Sequence, residues 1–451
     1  MSTLLERAKG SALDIIVHYD IPDGTMPLVS PHAQRIRYLE FMYNSWQDIA
    51  AFSEFNSGQL PLLRTLKITT YDSGDRLSTM TSPSHLFFRG SVNLERFTFD
   101  AEKLQFLNLF TFPNLTTFNL SASPEEESSA LPILNFLKAV PLLQTVDLFT
   151  NSRITSEGIP QEMVVTLSNV QTFSLHVWDG ITTHLFKIAA HISCPRARDI
   201  FLVHKTPDDD VTVDLEMFPS PALWDRIVHQ CPTNLIEEVI LEIKGNDDER
   251  EGVECCLTFR SPGAAAIRLG FEVDETGTGG DRLQMSLKDM GWEALSQALL
   301  TIQDHPLLSH VKRLHIRYKA SMLDEAKVIR VADKVKGLFR SLGPLDELSI
   351  YGCDLSIFLV DFLDGLGSAC LEEPILLPWI KRLTIVHPLM EYREQECLEA
   401  IAGLAEAQHA LGIPFECVAV RASTIPMELE EELEKWVNVV ECSEEWDTDS
   451  E

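Results

Sequence analysis

What most constrains this chain is a spacing that recurs along it: an apolar residue, two free positions, a second apolar residue, one free position and a third. The clearest copy is Leu345-Asp-Glu-Leu348-Ser-Ile350, followed by Tyr351, Gly352 and Cys353. Side chains alternate between the two faces of an extended strand, so the later apolar residues of a copy share one face and the residues between them occupy the other. Further copies are Ile36-Leu39-Phe41, Leu63-Leu66-Ile68, Leu94-Phe97-Phe99, Leu115-Phe118-Leu120, Leu143-Val146-Leu148, Val170-Phe173-Leu175, Ala197-Ile200-Leu202 and Ile236-Val239-Leu241. After a gap the spacing returns at Val311-Leu314-Ile316, Leu345-Leu348-Ile350, Ile380-Leu383-Ile385 and, weakly, Phe415-Val418-Val420. Single matches arise by chance. Periodicity carries the argument, because many copies lie roughly 27 to 35 residues apart.

An independent signal accompanies the spacing. A proline stands two positions before the first apolar residue at Pro61, Pro113, Pro141, Pro195 and Pro378. Proline cannot continue a helix and biases its predecessor toward extended backbone, so it marks where a helix gives way to a strand. A ladder residue able to bond turn backbone is found at Asn44, Asn151 and Cys353. Between strands, helical periodicity is read around residues 46–52, 223–228, 292–302, 325–342, 356–366 and 394–411. Ser123-Pro124-Glu125-Glu126 combines a cap, a first-turn proline and acids, and predicts a helix start. The unit reads strand, loop, helix, loop. The fold expected over residues 1–425 is therefore α/β: one leucine-rich-repeat solenoid, a ribonuclease-inhibitor-like horseshoe of irregular repeats with parallel inner strands and outer helices.

The pattern breaks across residues 244–290. Segments 255–259, 265–273 and 283–287 read as strands separated by Ser261-Pro-Gly263 and Thr276-Gly-Thr-Gly-Gly280, which predicts antiparallel strands inserted into the solenoid. Residues 426–451 form a C-terminal segment of their own: a short acidic helix from Pro426, then an acidic tail through Ser443-Glu-Glu-Trp-Asp-Thr-Asp-Ser-Glu451.

Composition narrows the function classes. With 45% apolar residues the chain has ample core material. A formal charge of −31 repels nucleic-acid phosphates and anionic membranes, so neither is an expected partner. The cysteines number nine, without a CxxC pair, and suggest buried free thiols in a reducing compartment. The first residues lack the apolar core of a signal peptide, and no uncharged apolar run approaches the roughly 20 residues needed to span a bilayer. Cytoplasm or nucleus is the expected location.

With these residues laid out, the chain resembles the leucine-rich-repeat portion of fungal F-box-type proteins. Leu5-Glu-Arg-Ala-Lys-Gly-Ser-Ala-Leu-Asp-Ile-Ile resembles the segment that follows the F-box in that family, and His32-Ala-Gln-Arg-Ile-Arg-Tyr-Leu resembles its first repeat. Phe136-Leu-Lys-Ala-Val-Pro-Leu-Leu and Leu377-Pro-Trp-Ile-Lys-Arg-Leu-Thr-Ile resemble its later helix-to-strand joins. Family members carrying an F-box dock on the linker protein of a cullin-type ubiquitin ligase, while the repeats choose the target. No leucine-proline-x-glutamate helix opening stands ahead of the repeats in this sequence, so docking on that linker stays open. The resemblance implies an interaction module and not an enzyme.

Chemical motifs are sparse. His184 with His191, and His310 with His315, miss the i, i+4 spacing of a helical metal pair. Gly277-Thr-Gly279-Gly280 lacks the Lys-Ser/Thr ending of a phosphate-binding loop, and Asp208-Asp-Asp210 and Asp247-Asp-Glu-Arg-Glu251 lack the Gly and terminal Glu of an EF-hand. No catalytic, metal-binding or cofactor-binding residue is assigned, and no cofactor is expected. One constellation remains. If the apolar triads face the core, Arg313, His315, Arg317, Tyr351 and Arg382 line the opposite, concave face. Tyr38, Glu40, Lys67, Arg96, Asp147, Phe149, His176 and Phe201 do the same elsewhere. Arginines among aromatics suit an acidic or phosphorylated peptide, since guanidinium pairs with carboxylate or phosphate in bidentate fashion. The competing possibility is that Arg313 and Arg317 pair with neighbours such as Glu347, or with the acidic tail folded back. The function expected is a non-enzymatic protein-binding module resembling F-box substrate-recognition repeats. The alternatives are a scaffold or inhibitor without a ligase link and, third, an enzyme with its site in the 244–290 insertion.

Overall fold

The computed structural model describes residues 10–18, 30–43, 60–70, 93–100, 104–124, 127–151, 153–178, 187–197, 199–206, 238–245, 253–260, 266–273, 308, 310–319, 339, 342–352, 360, 362–363, 366, 379–386, 394–421 and 427–443. The chain divides into two compact units, Met1–Phe201 with Arg226–Pro232 and Leu202–Asp225 with Thr233–Glu451. Each is mixed α/β, dominated by parallel strands.

In the first unit the strands are β1 (Leu13–His18), β2 (Ile36–Tyr43), β3 (Thr65–Thr70), β4 (Arg96–Asp100), β5 (Thr117–Ala122), β6 (Ser128–Ser129), β7 (Thr145–Asn151), β8 (Ile154–Thr155), β9 (Val165–Thr166), β10 (Thr172–Trp178) and β11 (Ile192–Ser193), and the division falls within β12 (Asp199–Thr206), after Phe201. Seven of them pair in parallel in the order β1-β2-β3-β4-β5-β7-β10. The two-residue strands pair separately, β6 with β8 and β9 with β11. β1 is an addition to the sequence reading, which saw no strand in the opening segment. It alternates buried Leu13, Ile15 and Val17 with exposed Asp14 and Ile16, which is the pattern of a strand with one face covered.

Register turns the triads into continuous rows. Phe97 has Leu66 on one side and Phe118 on the other, with Leu39 and Val146 beyond them. Every triad residue whose side chain is described is at most 4% exposed. At about 1.5–3 kcal/mol for each large apolar side chain removed from water, these rows are the main source of stability. Aromatic rings thicken the centre. The Phe97 ring lies 5.0 Å from Phe112, 5.1 Å from Phe110, 5.8 Å from Phe118 and 6.0 Å from Phe136.

The prolines act as turn formers. Leu63 N–H donates to the Leu60 carbonyl, Leu115 to Phe112 and Ala197 to Cys194, each closing a four-residue turn. Pro61, Pro113 and Pro195 hold the second position, where proline's fixed φ is already correct. Side chains tie one turn to the next: Asn93 Nδ2 donates to the Pro61 carbonyl at 2.5 Å and Asn169 Nδ2 to the Pro141 carbonyl at 3.0 Å. The expected ladder role of Asn151 is met, since it donates to the Pro124 carbonyl and accepts from Arg153 N–H. Asn44 and Cys353 lie outside the described residues.

Helix α1 (Leu131–Ala139) corrects the expectation of a helix start at Ser123. Ser128 and Ser129 are instead extended and paired with Ile154 and Thr155. The helix opens with Pro132 in its first turn and Ser129 Oγ accepting from Leu131 N–H at 3.2 Å. A cap-and-proline signal is local, and a second copy of it eight or so residues on met the better tertiary context. Elsewhere the connections include 3-10 helices at Ser30–Arg35 and Leu104–Leu109.

The second unit contains β13 (Glu238–Gly245), β14 (Val253–Arg260), β15 (Ala266–Val273), β16 (Arg313–Lys319), β17 (Leu345–Gly352), β18 (Ile380–Val386), β19 (Cys417–Arg421) and β20 (Val440–Ser443). From β13 the parallel order runs β13-β16-β17-β18-β19-β20. On its other side β13 pairs antiparallel with β14, and β14 antiparallel with β15. The antiparallel strands expected in the interruption are thus present, apart from segment 283–287, which lies outside the described residues. So do the helices expected at 46–52, 223–228 and 292–302, and most of those at 325–342 and 356–366.

Helix α2 (Glu394–Ala410) falls where periodicity placed it and buries Cys397, Ala400, Ile401, Leu404, Ala405 and Gln408 along one side. It ends in a Schellman motif: Gly412 at φ +75° donates to the His409 carbonyl and Ile413 to the Gln408 carbonyl. The acidic helix α3 (Met427–Leu433) is also present. Beyond it the chain departs from the expected simple run-out, because Val440–Ser443 adds to the sheet as β20.

The fold makes a two-sided prediction. Phe97→Ala is expected to lower the unfolding free energy by about 3–5 kcal/mol through the cavity it opens. Thr98→Ala, on the opposite side of the same strand, is expected to change it by less than about 0.5 kcal/mol. Urea midpoints of the two variants check both.

Candidate functional site

Because the triads point one way, the intervening residues form a polar face in each unit. In the first unit Tyr38, Glu40 and Lys67 are brought together on β2 and β3. Tyr38 Oη donates to Glu40 Oε2 at 2.6 Å, and Lys67 Nζ lies 2.8 Å from Glu40 Oε1. Burial, then the bond to Glu40, pushes the Tyr38 hydroxyl up to about 12. Asp100 on β4 sits above the ordinary carboxylate range because it is partly desolvated, against the pull of Ser121 and Lys67. Arg96 is exposed and Phe201 half-buried.

Farther along this face, Phe149 stacks on His176 with ring centroids 4.2 Å apart and planes 9° from parallel. Ser174 Oγ lies 3.1 Å from His176 Nε2, and Asp147 Oδ1 lies 3.7 Å from the same nitrogen. A Ser-His-Asp relay needs the carboxylate on the other ring nitrogen, where it can orient the imidazole. This trio therefore has the residue types of a hydrolase and not the geometry. Burial raises the Asp147 carboxyl against a bond from Ser174. His191, noted in sequence, is buried with Nδ1 2.7 Å from the Met163 carbonyl, a structural placement.

In the second unit the structure brings Arg313, His315, Arg317, Tyr351 and Arg382 onto one face of β16, β17 and β18, opposite the buried triads. Register sorts them into rows. The first row reads Glu238, Arg313, Glu347, Arg382, Cys417 across β13, β16, β17, β18 and β19. Charge alternates along it, so acids stand among the arginines and aromatics expected from sequence. Glu238 and Glu347 stand beside Arg313, and Arg382 pairs with Glu441 of β20 at 2.8 Å. Glu347 also accepts from fully buried Ser349 at 2.8 Å.

The second row contains His315, whose side chain is only 13% exposed. It is thus covered, not open as the sequence implied. Its Nε2 lies 3.0 Å from Glu238 Oε1, yet burial outweighs that carboxylate, and His315 titrates below the ordinary histidine value. The third row reads Glu242, Arg317, Tyr351, Val386, Arg421, Ser443 from β13 to β20. From β16 to β19 this row carries two arginines, an aromatic and no acid. The Arg317 guanidinium lies 5.8 Å from the centre of the Tyr351 ring, within cation–π range. Sequence reasoning named Glu347 as a possible neighbour of the arginines but missed Arg421, because the triad before it is weak, and missed Glu238 and Glu441, which register brings in from distant strands.

Among the described residues, no group of three or more His, Cys, Asp or Glu side chains is arranged to hold a metal ion. No described helix is long and apolar enough to cross a membrane. No protein-family model and no curated protein matches the chain.

The covered His315 has a measurable signature. Folded, it binds fewer protons than unfolded between its depressed value and about 6.5, so its contribution to stability is complete above that pH and is lost as pH falls through the window. The drop in urea midpoint between about pH 7 and pH 5 is expected to be smaller in His315→Gln than in the parent chain.

Proposed function

We propose that this chain is a leucine-rich-repeat protein of the fungal F-box type whose role is to bind another protein, with no chemistry of its own. The solenoid reading is supported by the order of strands within each unit, where most successive triads lie on adjacent parallel strands with their apolar sides buried. The binding reading rests on the row of Arg317, Tyr351 and Arg421 on the polar face of the second unit. Arg421 stands exposed at the β19 end of that row, and a guanidinium pairs with carboxylate or phosphate in bidentate fashion. The partner is a protein carrying an acidic or phosphorylated segment, met in the cytoplasm or nucleus. The link to a cullin ligase rests on the resemblance alone and is tested separately by co-purification with the linker protein.

The alternating first row gives the surface a filter. Charges in the first row are already met in part within the sheet, Arg382 by Glu441 and Glu347 by Ser349, so a uniformly acidic chain is accommodated mainly by the third row. The double variant Arg313→Glu, Arg317→Glu is expected to weaken binding to acidic and phosphorylated peptides on an array at least tenfold, with circular dichroism and Tm unchanged. Equal binding by parent and variant removes this face from consideration.

A further inference from the structure

The polar side of the first unit also sorts into rows, and one of them contains no acid. Register reads Tyr38, Thr65, Arg96, Thr117, Thr145, Thr172 across β2, β3, β4, β5, β7 and β10. From Thr65 to Thr172, none of these side chains makes a hydrogen bond or ion pair with another described residue. The carboxylates of the next two rows are held by other groups: Glu40 by Tyr38 and Lys67, Asp100 by Ser121, and Asp147 by Ser174. Other arginines at the starts of β2 and β3 are engaged as well. Arg35 donates to the Ser11 carbonyl at 2.9 Å, Arg37 pairs with Asp14 at 2.7 Å, and Arg64 with Glu95 at 3.4 Å. In a chain of net charge −31, Arg96 is exposed and set among neutral hydroxyls.

That setting selects a kind of anion. Strand spacing of about 4.8 Å places half-buried Thr65 and Thr117 one strand away on either side of Arg96. A guanidinium fork satisfies two oxygens, which is all that a carboxylate has. A phosphomonoester has a third terminal oxygen, and the flanking hydroxyls supply donors for it. The row then continues through Thr117 and Thr145 to Thr172. Three strand steps from Arg96 cover about 14 Å, the length of about four extended residues and more than a single sugar phosphate fills. A hydroxyl both donates and accepts, which suits a main chain presenting both N–H and C=O groups.

We propose that Arg96, Thr65 and Thr117 form a receptor for a phosphorylated serine or threonine in an extended segment of a protein partner, with Thr145 and Thr172 beneath the residues beside it. This rests on reading the chain as a protein-binding module and is independent of the row in the second unit. With a single guanidinium it is the weaker of the two sites, so it accounts for the phosphopeptide binding left when the second-unit face is reversed.

The test therefore uses the full chain carrying Arg313→Glu and Arg317→Glu, with the parent chain alongside. Both are titrated on an array of phosphoserine-centred octapeptides of degenerate sequence and on serine- and glutamate-centred copies. The reversed chain is expected to bind the phosphoserine peptides at least about tenfold more tightly than either copy. Adding Arg96→Ala is expected to lower that binding about tenfold, and Arg96→Lys, which keeps the charge and loses the fork, about fivefold. Adding Thr65→Val and Thr117→Val is expected to lower phosphopeptide binding about fivefold and leave the glutamate copies unchanged. Circular dichroism and Tm are expected to stay constant throughout. Phosphopeptide binding that is absent from the reversed chain, or unmoved by Arg96→Ala, overturns the site and leaves the second-unit face standing if the parent still binds. Absence from the parent as well overturns both. Equal binding of phosphoserine and glutamate copies overturns the preference for phosphate. Inorganic phosphate that competes as well as the phosphopeptides overturns the protein segment as occupant.

Discussion

Burial of the apolar triads along one side of in-register parallel strands is the interaction on which the rest depends. A lone strand carrying Leu, Phe and Ile at these positions leaves half of each side chain wet. Parallel neighbours in matching register stack Leu39, Leu66, Phe97, Phe118 and Val146 into one dry row. The side-chain period of a strand is two, so a slip of one residue would turn that row to solvent. The same rule that hides one face therefore fixes the composition of the other, and the polar face is a consequence of the core.

That polar face differs between the units in a way set by neighbours. In the first unit its acids are held by Tyr38, Lys67, Ser121 and Ser174, short-range partners that leave Asp100 and Asp147 only partly compensated for their burial. In the second unit long arginine stems span adjacent strands, and acids are interleaved among them in the first row and set at the Glu242 end of the third. Arg382 with Glu441 is half-exposed, and such a pair contributes little to stability. Its effect is positional, since it joins β18 to β20 across β19.

How much was legible depends on how local each signal is. The triads of β2 to β5, β7 and β16 to β18 needed only three apolar residues at set spacing, and the prolines needed only a turn whose second position wants φ near −65°. β1 and β20 were not read because alternation of this kind is shared by many loops. Their pairing partners make them strands. The helix expected at Ser123 failed for the complementary reason: the cap signal was real, yet Ser128 and Ser129 gained ladder bonds to β8, and the helix opened at Leu131. The candidate face was half legible. Which residues face outward follows from alternation, whereas Glu238 beside His315 and Glu441 beside Arg382 join residues 77 and 59 positions apart.

The amino-acid sequence by itself determined that this chain would be built from repeated strands with one apolar side, because a period-two pattern seen every few tens of residues has no other economical burial. It also determined that Arg313, Arg317, Tyr351 and Arg382 would share the opposite side. Only the tertiary structure decided what stands next to them. Strand register sets charge neighbours across chain separations that no local pattern encodes, and it is register that interleaves acids with the first row, covers His315 and sets Arg317, Tyr351, Val386, Arg421 and Ser443 in one line.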